Sequence, residues 1–272
     1  MRLRGYVVLL GFLVACGRSE SSVCEGAKLF GRPTAMTGLT AAQCGPTCTC
    51  SGAAWTPPEY TSADADALLT WTLVDPPPSL TSDPYAAPGA SDPAAEAADT
   101  VCAIVPDAPG SKSYRLRTFA TQAEAEQTGA LVTHFGACGL CSTLADLAVY
   151  MRTPDLTAPV QKCGTDHLND DMAAHVQCLR DLGFSEPCAE IWYFNTRHTL
   201  AACARPCFLA VGEPYHFADG GLNDCLTCDE VESGAVFKAV AGRTRRNTGL
   251  PSSMCRPCSE VKPLVHTYAQ RR

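Results

Sequence analysis

The sequence predicts a mainly α fold laced by disulfides, with α+β as the alternative. Three observations lead there. Seventeen cysteines stand in 272 residues behind a charged-then-apolar start, and outside the cytoplasm thiols persist mostly as disulfides. The second half of the chain sets apolar residues and cysteines three and four apart, the spacing that puts them on one helix face. The first part does the opposite: repeated prolines and no long periodic segment, a pattern that breaks long helices and central strands. The expected organisation is a loop-rich, cysteine-containing subdomain over 24–80, an acidic flexible linker or loop over 81–100, and a disulfide-rich, mainly helical domain over 101–272 with a short β element at its start.

Arg2 and Arg4 open the chain and a largely apolar run follows over 5–14. A membrane span needs about 20 apolar residues, so residues 1–15 read as a cleaved export signal. Leu13-Val14-Ala15-Cys16 resembles the lipobox of bacterial lipoproteins, in which the cysteine after the cut receives acyl chains. The resemblance implies lipidation at Cys16 and a membrane partner reached through that lipid. Gly17, where an inner-membrane retention signal would favour Asp, implies the outer membrane or periplasmic face. Residues 16–23 then form the anchor and a polar tether. Assigning Cys16 to lipid leaves an even set of sixteen: Cys24, Cys44, Cys48, Cys50, Cys102, Cys138, Cys141, Cys163, Cys178, Cys188, Cys203, Cys207, Cys225, Cys228, Cys255 and Cys258. All are expected in disulfides. Their connectivity stays open, since sixteen cysteines allow on the order of two million pairings.

Loss of Arg2 and Arg4 with the signal takes the net charge from −7 to −9. Residues 33–111 hold no Lys or Arg but nine acids. Phosphate binding needs a basic footprint, so no nucleic-acid partner is expected.

Elements beyond residue 110 follow in order. Residues 114–119 alternate with period two and predict a strand. Thr121-Gln122-Ala123-Glu124 is a capping box opening a short helix. Residues 130–133 predict a second strand. A helix over 142–151 carries Leu144, Leu147, Ala148 and Met151 on one stripe, and Thr153-Pro154 stops it. Another over 171–182 is capped by Asp170 and ended by Gly183. A third starts at Ser185-Glu186-Pro187 and bends before Cys203. Further helices are expected near 223–241 and 254–268. Cys203 and Cys207, Cys225 and Cys228, and Cys255 and Cys258 sit at helical spacing, so each can staple to a neighbouring helix.

The densest run for chemistry is His134-Phe135-Gly136-Ala137-Cys138-Gly139-Leu140-Cys141-Ser142. A cysteine at a helix N-terminus has its thiolate favoured by free amides and the dipole. Gly136-x-Cys138-Gly139-x-Cys141 resembles the run of papain-like enzymes in which the second cysteine attacks, with Ser142 in place of the tryptophan and Phe135 in place of the oxyanion glutamine. Cys141-Ser142-Thr143-Leu144 also resembles a run of bacterial cell-wall cysteine peptidases. These resemblances imply Cys141 as nucleophile, with His134 as the nearest base in sequence and His216 with Asn223, or His266, as downstream offers. Ordinary bridges at Cys138 and Cys141, or a redox Cys-x-x-Cys, are the competing readings. Cys225-x2-Cys228-x26-Cys255-x2-Cys258 has the paired layout of a zinc ribbon, and His167 and His175 lie near Asp166, Asp170 and Asp171. Oxidation competes for those cysteines, a solvated helix start accounts for the acids, and no metal is expected. Arg243, Arg245 and Arg246 form the one basic cluster, a candidate grip for phosphate, sulfate or carboxylate, with docking onto the acidic N-terminal region or a plain solvated surface run as the competing readings.

Together, 133–134, 147–150, the arginine cluster and the closing Cys-x-x-Cys resemble a poorly characterised family of exported Cys-rich proteins. That family implies no activity. No triad, phosphate loop or cofactor fingerprint is present, so no cofactor is expected. The expectation is a lipid-anchored envelope protein whose ectodomain binds an unknown ligand or envelope partner. The alternative is an exported thiol enzyme using Cys141.

Overall fold

The proline-rich start of the chain folds into strands too short to stand alone. The computed structural model describes residues 24–86 and 99–268. In it β1 (Cys24–Glu25), β2 (Leu29–Phe30), β3 (Cys44–Gly45), β4 (Cys48–Cys50) and β5 (Ala53–Trp55) run to two or three residues each. β1, β4 and β5 form an antiparallel sheet, and β2 and β3 a parallel pair. Disulfides supply what the ladders cannot. Cys24–Cys50 closes the small sheet, while Cys44–Cys255 and Cys48–Cys258 tie it to the far end of the chain.

The second half of the expected N-terminal subdomain does not stand apart. α1 (Ser62–Leu68) opens on a capping box between Thr61 and Asp64, and its Ala65 and Leu68 enter the main core. β6 (Thr72–Leu73) pairs with the principal sheet. Leu80, at the end of the expected subdomain, donates its N–H to Glu190 at 2.7 Å, and within 81–86, expected as the start of a flexible linker or loop, the Tyr85 hydroxyl donates to Asn195 at 2.7 Å. Of the expected linker, residues 87–98 lie outside the described residues, as do the signal, Cys16 and the tether, and Thr100 O accepts from Gly136 N–H at 2.7 Å.

The principal sheet completes with β7 (Val101–Pro106), β8 (Ser113–Phe119), α2 (Gln122–Gln127) and β9 (Leu131–Phe135). The strand order is β6-β8-β7-β9, and both neighbours of β7 are antiparallel to it. β7 reads Val-Cys-Ala-Ile-Val-Pro and is buried on both faces. Ile104 meets the helices, while Val101 and Ala103 meet α2, Phe119 and Leu264. Such a strand shows no alternation. The outer edge of β9 is closed by side chains rather than by another strand. Tyr268 donates to Val132 O, Arg243 to Thr133 O and Asn247 to Phe135 O. Capping an edge in this way blocks further pairing.

Helices cover the other face. α3 (Leu144–Arg152), α4 (Thr157–Asp166), α5 (Met172–Asp181), α6 (Glu186–Leu209), α7 (Asp224–Glu232), α8 (Gly234–Ala241) and α9 (Arg245–Thr248) follow in order. The chain is α+β rather than mainly α. α4 breaks the sequence pattern because Pro159 and Gly164 lie in it. The proline falls in the first turn, where it is tolerated. The glycine lets α6 approach, since a Cβ there would lie 2.6 Å from Thr196. Asp171, not Asp170, caps α5. α6 bends at Cys203, and Pro206 follows within it. The segment expected as one helix near 223–241 divides at Ser233 into α7 and α8. The helix expected over 254–268 is absent. Pro257 and Pro263 interrupt it, Cys255 and Cys258 are bonded to β3 and β4, and Arg256 pairs with Phe30. The other disulfides are Cys102–Cys138, Cys141–Cys188, Cys163–Cys178, Cys203–Cys228 and Cys207–Cys225. Eight bridges among the described residues suggest an oxidising, exported environment.

Candidate functional site

The run singled out for chemistry is buried at both ends, at His134 and over 140–142, and half-buried over 135–139. β9 carries His134 inward, Gly136 turns the chain with φ +94°, and residues 139–141 then cross the end of α8. Leu140 and Cys141 N–H donate to Val240 O and Ala241 O at 3.0 and 2.9 Å. The crossing needs two glycines: a Cβ on Gly139 would lie 2.4 Å from Val240 O, and one on Gly242 would lie 2.6 Å from Gly139 N.

His134 Nδ1 is 2.9 Å from Phe135 O and its Nε2 is 2.7 Å from Ser142 Oγ. A carbonyl only accepts, so Nδ1 carries the proton and Ser142 donates to Nε2. Ser142 Oγ in turn accepts from Gly139 N–H at 2.8 Å. This is the hydroxyl–imidazole contact of an activated nucleophile, but both residues are fully buried. Burial first, and the Arg243 charge second, hold the imidazole well below its usual range. It stays neutral and serves as a strut.

Cys141 is not a free thiol at a helix start. Its sulfur is bonded to Cys188 and is buried, and α3 begins two residues later than expected, with Thr143 as N-cap. Cys138 is bonded to Cys102, so the two cysteines of the Cys-x-x-Cys are not partners. The downstream histidines are fixed elsewhere. His216 Nδ1 lies 2.9 Å from Gly220 O and its Nε2 accepts from Cys255 N–H. Asn223 caps α7, and His266 donates to Thr248 O.

The three arginines form clamps instead of an anion grip. Arg243 is fully buried. Its Nε donates to Cys141 O at 2.9 Å, one terminal nitrogen to Thr133 O at 3.0 Å, and the other to Ser142 O at 2.9 Å and the Thr133 hydroxyl. Burial lowers its pKa, opposed by Tyr268 first and then by Asp146, which is also fully buried. That carboxylate accepts from Thr143 and from the Ser185 amide and hydroxyl. Arg245 donates to Tyr150 O and Thr153 O at the end of α3, satisfying carbonyls that the helix leaves open. Burial pushes its pKa down to about 10. Arg246 pairs with Glu260 at 2.7 Å and Glu230 at 2.9 Å, and Glu230 also takes Arg256. Every guanidinium has acceptors within the protein.

The zinc-ribbon layout is dispersed by bonding: Cys225 and Cys228 go to α6, Cys255 and Cys258 to β3 and β4. His167 bonds Asp170 at 2.7 Å and lies 6.3 Å from the ring of His175. Burial pushes His175 down to about 4. Among the described residues no group of three or more His, Cys, Asp or Glu is placed to hold a metal.

Two exposed features are better placed to meet another molecule. One is a cleft of about 610 Å³ with Glu25, Lys28, Leu29, Gln43, Asp219 and Ser259 on its walls. It opens between the small N-terminal sheets, the turn after Phe217, and the closing Cys-x-x-Cys. The other is the end of α6, where Phe208, Leu209 and Val211 stand in solvent. Sequence reasoning missed both. The second had a signal, an apolar run with no helical phase before Gly212. The first had none, because disulfides join its walls across 210 residues.

Over residues 172–264, about a third of the chain, the protein is similar to a family of unknown function (DUF8771). That stretch begins at α5 and holds the arginine clamps and eight of the bonded cysteines. No curated protein and no solved structure matches the chain.

Proposed function

We propose that this protein is an exported, lipid-anchored envelope protein whose ectodomain works by binding, with the cleft beside β1 as the contact site for a ligand or partner. The observation that carries the reading is the cysteine balance. Sixteen of the 17 cysteines are bonded to one another, and the remaining one is Cys16, directly after Leu13-Val14-Ala15. Binding is favoured over catalysis because the polar cluster richest in chemistry is sealed and internally satisfied, whereas the cleft is open and carries both charge signs. The periplasmic face of the outer membrane is the proposed location, on the strength of Gly17. Among the described residues no helix is long and apolar enough to cross a membrane.

A metabolic acyl label tests the anchor. Label is expected in the wild-type chain expressed in bacteria and not in Cys16→Ser. An unlabelled wild type contradicts the reading. For the cleft, Lys28→Glu with Asp219→Lys is expected to abolish crosslinking to envelope partners while leaving the melting temperature unchanged. Undiminished crosslinking would remove the cleft from the account.

A further inference from the structure

Four large apolar side chains are exposed within one ten-residue stretch. Phe208 is 81% exposed, Leu209 69%, Val211 75% and Phe217 49%. Single exposed apolar residues are normal, but a cluster of this kind marks an interaction surface. The stretch is not a frayed end. On one side Cys203–Cys228 and Cys207–Cys225 pin the end of α6 to α7. On the other, Tyr215 and His216 N–H donate to Met36 O and Thr37 O at 2.7 and 3.1 Å, and Gln43 donates to Ala218 O at 2.9 Å. The apolar groups are held out by a turn braced at both ends.

The point where the chain enters bears on what could cover them. Asp219 and Gly220 wall the cleft together with Glu25 and Gly26, next to Cys24, the first described residue. From Val211 to Phe217 the chain spans at most about 20 Å, and from Cys16 to Cys24 at most about 28 Å. An acylated Cys16 therefore keeps this end of the molecule within reach of lipid. We infer that the turn over 208–217 is a membrane-facing surface that inserts Phe208, Leu209 and Val211 into the leaflet holding the anchor. The inference rests on the anchoring reading above. The charged residues nearest in sequence, Arg205, Glu213 and Asp219, are all exposed and carry one positive and two negative charges, and the chain is acidic overall. Attraction to anionic headgroups is thus not the source of binding, and neutral lipid at high salt supports it.

The test separates the two readings. Mass spectrometry of the N-terminal peptide of the wild-type chain reads acylation and judges the anchor alone. The surface is judged in full-length Cys16→Ser chain, which carries no lipid, mixed with phosphatidylcholine vesicles containing brominated acyl chains. In that background Phe208→Trp is expected to gain fluorescence quenching that saturates with lipid and persists at high salt. Leu168→Trp, on the turn between α4 and α5, is expected to gain none. Adding Leu209→Ser and Val211→Ser to Phe208→Trp should weaken vesicle partition on the order of tenfold or more. All these positions are exposed, and unchanged near-ultraviolet dichroism checks that the fold is retained. Equal quenching at 208 and 168, or none at either, overturns the inference. So does a dimer in solution that Leu209→Ser and Val211→Ser dissolve, since that assigns the surface to a second copy.

Discussion

A Cβ on residue 139 would have to sit 2.4 Å from a backbone oxygen of α8. Neither chain at that crossing can move aside, because Leu140 and Cys141 are hydrogen-bonded across it and Cys138 and Cys141 are both in disulfides. Gly139→Ala is therefore expected to lower stability by roughly 3 kcal/mol, measured by denaturant unfolding with disulfides intact. A loss under 1 kcal/mol would mean that the crossing gives way. His266 tests the buried polar cluster through pH. Burial first, and the Arg243 charge second, push its pKa from 6.5 to about 3. Unfolding then takes up a proton between those values, so stability is whole above pH 6.5 and is lost as pH falls toward 3. Asp146 and Asp229, raised by burial, act in the opposite sense, their contribution falling as pH rises. His266→Gln keeps a donor for Thr248 O and is expected to flatten the acid limb of the stability curve by a few kcal/mol, roughly. An acid limb of unchanged slope would place His266 outside the pH response.

At the scale of elements, the docked segment before residue 87 is the least anticipated part of the fold. Tyr85 stacks on His198 at 4.4 Å and donates to Asn195. Tyr85→Phe keeps the stack and removes the donor, with an expected loss of about 1–2 kcal/mol and faster hydrogen exchange at the Leu80 amide. Exchange unchanged at Leu80 would show that the segment is held by the ring alone. Elements with local signals were legible in the sequence. Thr121 and Glu124 marked α2, alternation marked β8, and the Ser185-Glu186-Pro187 start marked α6. Elements defined by distant partners were not. β7 lacks alternation because both of its faces are covered, α4 carries a proline and a glycine whose tolerance depends on position and on Thr196, and the helical spacing of Cys255 and Cys258 is overridden by two long-range bonds. The arginine cluster was visible as charge, but its inward aim depends on carbonyls near residues 133, 142 and 150 that sequence does not bring together.

For the whole molecule, the disulfides do what a small core cannot. The N-terminal sheets have few apolar side chains of their own, with Phe30 and Trp55 the main ones packed with Val261 of the C-terminal segment, and are fastened to that segment by bonds spanning 211 and 210 residues. The cleft and the apolar turn lie along that junction, so the proposed binding surfaces depend on its oxidation. On the proposed reading one cysteine serves the membrane while the other sixteen serve the fold. It is tested by isolating the exported chain without reductant, denaturing it, alkylating free thiols and mapping all 17 cysteines by mass spectrometry. The account predicts no alkyl label on any cysteine from Cys24 to Cys258, linked peptides joining Cys141 to Cys188 and Cys48 to Cys258, and an acylated Cys16 at the new N-terminus. Stoichiometric label on Cys141, or an unmodified Cys16 in the exported chain, would contradict it.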